Sequence, residues 1–496
     1  MRLGSGKPDA AFPPPPPVVS FAKSLGRIFG WMERVGVVEW GMRRLWLVRW
    51  ILAVLLMALP GRAAERMNVI VILVDDLGWT DLSCYGSTFY ETPNLDRLAK
   101  EGMRFTDGYS ACTVCSPTRA SLLTGQYPAR LHITDWIPGE GRTKERLRIP
   151  EWRKFLPAEE ITIAERLKEQ GYATASIGKW HLGRIGGKYA EAHGFDQNIG
   201  GYDRGQPPSF HAPYQIPTLE EGPEGEYLTD REAKEGVKFI ETHRDQPFFI
   251  YLPHYAVHTP IQGKADLTKK YQGKDKSGSK QRNAAYAAMI ESMDDALGTI
   301  VAALERLDLD ERTAIVFTGD NGGLVLRQIT DNSPLRVGKG SAYEGGVRVP
   351  LIVKWPGVTQ PGSVCSVPAI TPDIYPTVLE MTGSPKDGRA VIDGKSLGPV
   401  LRGGQTLERA AIYWHYPHYH SGGATPYSAI RKGDWKLIHF FEGDRVELYD
   451  LRNDISESKD LSGEQPEKVA EMKQQLIAWR TSVKAQLPTP NPDYKP

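Results

Sequence analysis

The sequence predicts an α/β protein: a large mixed, mostly parallel sheet sandwiched by helices, followed by a smaller C-terminal α+β domain. Three observations carry this. Residues 68–74, 248–252 and 313–317 are apolar, β-branched runs without polar alternation, the pattern of strands buried on both faces. Helical patterns lie between them, and such alternation implies an open sheet with helices on both sides. After Gly403-Gly404 the texture changes to short strands and one amphipathic segment. The expected divisions are 1–63 as leader and signal peptide, 64–404 as the main domain and 405–496 as a C-terminal subdomain.

In chain order, the leader comes first. Arg43 and Arg44 precede an apolar run at 51–59, and Pro60-Gly61-Arg62-Ala63 offers small residues for cleavage after Ala63. The run is short for a membrane span, so it predicts a signal peptide and export to the periplasm or outside the cell. An uncleaved anchor is the alternative. The proline-rich stretch ahead of it makes Met42 a candidate start. At 496 residues the chain can bury a large core, and a net charge of +1 argues against a general nucleic-acid binder. Four cysteines in an exported protein of this size leave cohesion to that core.

Each predicted strand of the main domain ends in chemistry. Residues 68–74 run into Asp75-Asp76, and a helix at 94–100 is capped by Gly102. The weaker strand 173–177 follows a helix at 162–170 and runs into Gly178-Lys179-Trp180-His181. Residues 248–252 lead to Pro253-His254-Tyr255-Ala256-Val257-His258, and 313–317 to Thr318-Gly319-Asp320-Asn321-Gly322-Gly323, after a long helix at about 283–307. In open α/β sheets the site lies beyond the carboxyl ends of the strands, where these side chains fall. Asp75, Asp76, Asp320 and Asn321 offer carboxylate and amide oxygens, the hard ligands that calcium or magnesium prefers over zinc.

One stretch falls outside the strands. In Cys115-Ser116-Pro117-Thr118-Arg119, Pro117 suits the first turn of a helix, Ser116 is a candidate N-cap, and Gly125 stops the run. Cys115 then sits at a helix N-terminus, where unpaired N–H groups favour an oxyanion. Cys112-Thr113-Val114-Cys115 also reads as a redox pair or half a zinc site, although no second such pair completes a zinc cluster.

The pentapeptide, with Thr124-Gly125 after it, resembles the signature of the type I, formylglycine-dependent sulfatases of the alkaline phosphatase superfamily, with Thr118 in place of the usual Ser. The order Asp75-Asp76, Cys115, Lys179/His181, His258, Asp320-Asn321 and Gly338-Lys339-Gly340 extends the likeness to arylsulfatase- and N-acetylgalactosamine-6-sulfatase-like enzymes. The resemblance implies that a maturation enzyme oxidises Cys115 to formylglycine, reading Pro117 and Arg119. It implies one divalent cation, Ca2+ with Mg2+ as the alternative, on Asp75, Asp76, Asp320, Asn321 and the modified residue 115. A hydrate hydroxyl would attack sulfur, and the second hydroxyl would then expel sulfate. Arg119 would hold the diol and the metal ligands, His181 would take a proton with Lys179 beside it, and His258 and Lys339 would grip the ester, His258 as general acid. Arg348 reads as structural.

The substrate implied is a sulfated carbohydrate or aryl sulfate. Rival readings are a phosphate or phosphonate monoester hydrolase of the same superfamily, and a non-catalytic binder of sulfated glycans with Cys115 left a thiol. In the C-terminal part, 427–430, 435–440 and 447–449 read as strands and 466–483 as a helix. The aromatic stretch 413–420 is either a wall of a sugar pocket or a packing cluster. The Pro- and Gly-rich segment 203–225 reads as a long loop near the site, and the Lys-rich 263–282 as a solvated loop.

Overall fold

A computed structural model describes residues 66–385, 388 and 391–495. The predicted leader, signal peptide and cleavage after Ala63 lie outside the described residues.

The main sheet has eight strands: β1 (Asn68–Val74), β2 (Met103–Phe105), β3 (Ala173–Ile177), β4 (Gln197–Ile199), β5 (Phe248–Pro253), β6 (Thr313–Gly319), β7 (Leu351–Lys354) and β8 (Ser363–Cys365). They lie in the order β8-β2-β7-β6-β1-β5-β3-β4. Only β7 runs against its neighbours, so the sheet is mixed and mostly parallel, as predicted. β1 is central, with Val71 opposite Tyr251 on one side and Val316 on the other.

The longer helices are α1 (Pro93–Glu101), α2 (Cys115–Thr124), α3 (Ile163–Glu169), α4 (Leu228–Thr242), α5 (Ala265–Gly273), α6 (Ala284–Arg306), α7 (Ile374–Met381) and α8 (Pro466–Ser482). Alternate residues of β1 enter different cores. Ile70, Ile72 and Val74 pack with Phe239, Ile240, Met289 and Met293 of α4 and α6. Val69, Val71 and Leu73 pack with Leu122, Leu167 and Val378 of α2, α3 and α7. Burial on both faces is why β1 carries no polar alternation. At about 25 cal/mol per Å² of apolar surface, two such layers supply most of the favourable folding energy.

A third core belongs to a four-stranded antiparallel sheet: β9 (Ile412–Tyr416), β10 (Tyr427–Lys432), β11 (Trp435–Phe440) and β12 (Arg445–Asp450). Helix α8 packs on it through Met472, Leu476 and Trp479. Tyr109, Cys112, Val114 and Tyr127, which flank α2, join the same core. Trp414 donates its indole N–H to the Ser110 carbonyl at 2.8 Å. The segment before Cys115 is thereby tied to the C-terminal sheet.

Two expectations change. The Lys-rich 263–282 is not wholly loop: α5 forms within it, and Lys270 and Lys274 pair with Glu91 at 2.7 Å, Lys270 also with Glu291. Ser116 is not the N-cap of α2. The cap residue is Val114, in extended conformation, with no side-chain cap bond. The Ser116 hydroxyl instead donates to the His181 carbonyl at 2.9 Å and accepts from the Ile137 N–H at 3.1 Å. Joining two loops over the site outweighs a local cap.

Candidate active site

The sheet delivers its groups through close backbone approaches. Asp75 at the end of β1 donates its N–H to Ala256 O at 2.9 Å, and Asp320 donates to Val74 O at 3.0 Å. Gly178, after β3, has φ +113°, and a Cβ there would lie 2.2 Å from Pro253 O. Only glycine lets the chain turn there toward Lys179 and His181. A Cβ on Gly322 would sit 1.8 Å from Gly345 O, so the loop carrying Asp320 and Asn321 rests directly on the segment that carries Lys339.

Cys115 is the first residue of α2 and is buried. Its Sγ lies 3.5 Å from Asp75 Oδ1 and 3.6 Å from Lys339 Nζ. Burial, with Asp75 adding to it, pushes the thiol up to about 12, so as a cysteine it stays protonated at neutral pH. All four cysteines are free, which removes the disulfide reading of Cys112 and Cys115.

Three carboxylates and three cations share this space, all of them buried except the partly exposed Lys339. Arg119 donates two hydrogen bonds to Asp320 Oδ2, from Nε at 3.0 Å and Nη2 at 2.7 Å, and one to Lys179 O at 2.8 Å. Lys179 bonds Asp75 Oδ2, and Lys339 pairs with Asp76 Oδ1 at 2.6 Å. Burial works against ionisation of Asp75, yet Lys179, His258 and Arg119 together hold its carboxyl well below the ordinary range. Asp320 goes the other way: burial and the neighbouring Asp75 push it up to about 6.

The two histidines are held differently. His181 is buried with φ +57°, and its Nε2 faces the Ile137 carbonyl. A carbonyl only accepts, so Nε2 carries the proton and Nδ1 keeps its lone pair. That Nδ1 has no hydrogen-bond partner among the described residues. Burial, then Lys179, holds His181 well below its ordinary pKa, which keeps it neutral. His258 donates from Nδ1 to Thr259 O at 3.0 Å, and its Nε2 lies 3.6 Å from Asp76 Oδ2. Burial and Lys339 lower its pKa as well.

Two buried oxygens here have no hydrogen-bond partner among the described residues, Asp76 Oδ2 and Asn321 Oδ1. Buried oxygens left unbonded are costly unless a cation takes them. Ligand atoms of Asp75, Asp76, Cys115 and His258 lie within 4.8 Å of one another. The structure thus brings Asp75, Asp76, Asn321 and Cys115 together. Asp320 lies beside them, accepting from the Asp76 N–H at 3.3 Å while its other oxygen holds Arg119. His258, expected to grip the ester, also stands among these ligand atoms, a place the sequence did not assign it. Arg348 lies apart, bonded to Glu344 at 2.7 Å and Asp107 at 3.4 Å, a structural role.

Cys115, His181, His258 and Lys339 open onto a cavity of about 1120 Å³. Trp136, Ile137, Phe155, Arg184, Arg204, Arg327 and His420 also line it. Of the 413–420 stretch, Tyr413 stacks on Trp479 with rings 4.7 Å apart, Trp414 and Tyr416 enter the third core, and His418 packs against Trp152. Packing therefore accounts for most of it, and His420 reaches the cavity. His420 was visible in the sequence only as part of that stretch. Arg204 falls in the 203–225 segment that reads as a loop near the site, whereas Ile137, Arg184 and Arg327 carry no local signal.

Comparison with known proteins agrees with this arrangement. The family model described as Sulfatase matches residues 67–384, and that of the N-sulphoglucosamine sulphohydrolase C-terminal region matches 337–482. A sulfatase of Formosa agariphila is 34% identical over 84% of this chain and 89% of its own length. Human arylsulfatase A is 33% identical over 78% of each chain. The crystal structure of Ps i-CgsB superposes with a TM-score of 0.73 and 30% identity, covering 87% of this chain and 95% of its own, and that protein is also known in complex with k-i-k-neocarrahexaose. The chain belongs to the sulfatase family and is a sulfuric ester hydrolase.

Proposed function

We propose that this protein hydrolyses sulfate monoesters of a sulfated carbohydrate, with Cys115, oxidised to formylglycine, as the source of the nucleophile and one divalent cation, calcium, beside it. The observation that carries the reading is the placement of Cys115 as first residue of α2, 3.5 Å from Asp75 and 3.6 Å from Lys339, at the floor of an open cavity. The Cys115 sulfur stands in for the oxygens of the oxidised side chain. In the same reading, 64–404 forms the catalytic domain and 405–496 the C-terminal subdomain, and Asp75, Asp76, Asp320 and Asn321 hold the cation with residue 115.

The fit of a cation rests on the orphaned oxygens of Asp76 and Asn321 and on the oxygen-rich donor set. When bound, a divalent cation supplies Lewis acidity and screens the sulfate oxygens. Formylglycine supplies, as its hydrate, two hydroxyls on one carbon, one for attack on sulfur and one to release sulfate. The rest is done by side chains. Arg119 fixes Asp320 and the Lys179 carbonyl in place. His181 Nδ1, with its free lone pair, accepts the proton from the releasing hydroxyl. Lys339 binds the incoming sulfate oxygens. His258, neutral in the empty site, gains proton affinity when that anion arrives and delivers the proton from Nε2 to the leaving alcohol.

The charge balance supports sulfate as the anion. Three cations offset three carboxylates, so a bound divalent ion leaves the pocket positive toward a singly charged ester. The sugar is supported by the size and part-apolar wall of the cavity, and by the oligosaccharide complex of Ps i-CgsB. Turnover of paired aryl sulfates and phosphates tests the reaction class. Sulfate turnover no better than phosphate would favour the phosphoryl rival, and no turnover with an intact Cys115 thiol would favour the binder. Export follows from the leader, and N-terminal sequencing of the mature protein checks it. Among the described residues no helix is long and apolar enough to cross a membrane.

A further inference from the structure

We propose that the outer wall of the cavity reads a second anionic substituent, a sulfate or carboxylate on a sugar beyond the one being desulfated, through Arg204 and Arg327. The inference rests on the sulfatase reading only for which end of the substrate enters first.

The wall is rich in cations. Lys154, Arg184, Arg204 and Arg327 line it, against the acids Glu140 and Asp203. Glu140 is already engaged by Arg142 at 2.6 Å and by Ser421. Asp203 is exposed and lies 3.9 Å from Arg184, too long for a hydrogen bond. Lys154 is engaged by the Pro138 carbonyl at 2.6 Å and lies over the Trp152 ring. Arg204 and Arg327 are exposed, and among the described residues neither guanidinium has a hydrogen bond or ion pair. They are the two cations of the wall with no hydrogen bond or ion pair among the described residues.

Neither belongs to the chemistry at the floor. Cys115, Lys339 and His258 already supply contacts for one sulfate, so two further cations lining the same cavity, with no carboxylate bonded to either among the described residues, call for a further anion. A guanidinium presents a planar fork that matches sulfate or carboxylate oxygens in pairs. The lining is part apolar: Phe155 is 45% exposed and Leu326 42%. Such surface suits the C–H faces of sugar rings. The volume, about 1120 Å³, exceeds the roughly 300–1,000 Å³ of common small-ligand pockets and fits an oligosaccharide segment.

The test uses the full-length mature protein, a heparin-derived tetrasaccharide, its chemically desulfated counterpart and para-nitrophenyl sulfate. Direct binding by calorimetry reads the wall whether or not the protein turns over. The sulfated tetrasaccharide should bind more tightly than the desulfated one. Arg204→Ala and Arg327→Ala should each weaken it by about tenfold, and Arg204→Glu/Arg327→Glu further. Rising salt should erase the difference. The ratio of competition by the tetrasaccharide to turnover of para-nitrophenyl sulfate should fall in the same variants. Absence of binding to the sulfated tetrasaccharide, or affinities equal in wild type and both variants, would overturn the proposal. Failure of the sulfatase reading looks different: no hydrolysis of para-nitrophenyl sulfate by wild type, with the arginine-dependent binding intact.

Discussion

Replacing Arg119 by methionine isolates the electrostatic frame of the site. Arg119 is fully buried and makes three hydrogen bonds, two to one oxygen of Asp320 and one to the Lys179 carbonyl, with Asp75 3.5 Å away. Methionine fills comparable space and is flexible, so the cavity contribution stays small. What is lost is the counter-charge. Asp320 is then left facing Asp75 and Asp76, with two lysines for three carboxylates. Removing one partner of a buried pair costs about 3–5 kcal/mol, a large share of the roughly 5–15 kcal/mol that holds a native protein together. Urea unfolding of wild type and Arg119→Met in the presence of a chelator measures the difference. Adding calcium should restore stability preferentially to the variant, because the unpaired oxygens then have a cation to bind. A loss below about 1 kcal/mol would refute the reasoning, since Asp320 would then not depend on Arg119 for its charge.

Three other outcomes follow from the same geometry. In wild type, millimolar calcium should raise the unfolding temperature, and Asp76→Asn should remove most of that rise, as read by calorimetry against a chelated control. Gly322→Ala places a Cβ against the Gly345 carbonyl, so calcium affinity measured by titration should fall by at least about tenfold as the Asp320-Asn321 loop is displaced. Burial lowers the pKa of His193 to about 4, of His415 to about 4 and of His418 to about 3, against an ordinary value near 6.5. The unfolded chain takes up protons that these native histidines refuse, so the stability they carry is complete above about pH 6.5 and is lost as pH falls toward 4. At about 1.4 kcal/mol per pH unit, each accounts for a loss of about 3 kcal/mol by pH 4. His415→Gln should flatten the pH dependence of urea unfolding over that window, and an unchanged slope would contradict the assignment.

The central strands were legible because their physics is local to each run. β1, β5 and β6 are buried on both faces, so an unbroken apolar stretch was enough to place them, and each ends where a charged side chain follows at once. Asp75, Asp76, Lys179, His181, His258 and Asp320 were therefore readable as a group before any contact was known. That α2 begins near Cys115 was readable, but its cap was placed two residues late, at Ser116 instead of Val114. The Ser116 hydroxyl is drawn away by His181 O and Ile137 N, partners 65 and 21 residues distant, and no local pattern could show this. His258 was recognised as a site residue, but its approach to the carboxylates depends on the turn after β5. Of the wall arginines only Arg204 lay in a segment read as a loop near the site; Arg184, Arg204 and Arg327 come from three separate connecting segments, and only the fold gathers them. In 413–420 the sequence showed aromatic rings, which serve cores and sugar sites equally, and burial decided for the core.

The most direct measurement is the mass of the peptide bearing Cys115, set beside turnover of para-nitrophenyl sulfate by the same preparation, expressed with a formylglycine-generating enzyme. Conversion of the thiol to the aldehyde, turnover that rises in proportion to the converted fraction, and loss of both in Cys115→Ala are the predicted result. Sulfate hydrolysis by protein whose Cys115 remains entirely a thiol would contradict the account.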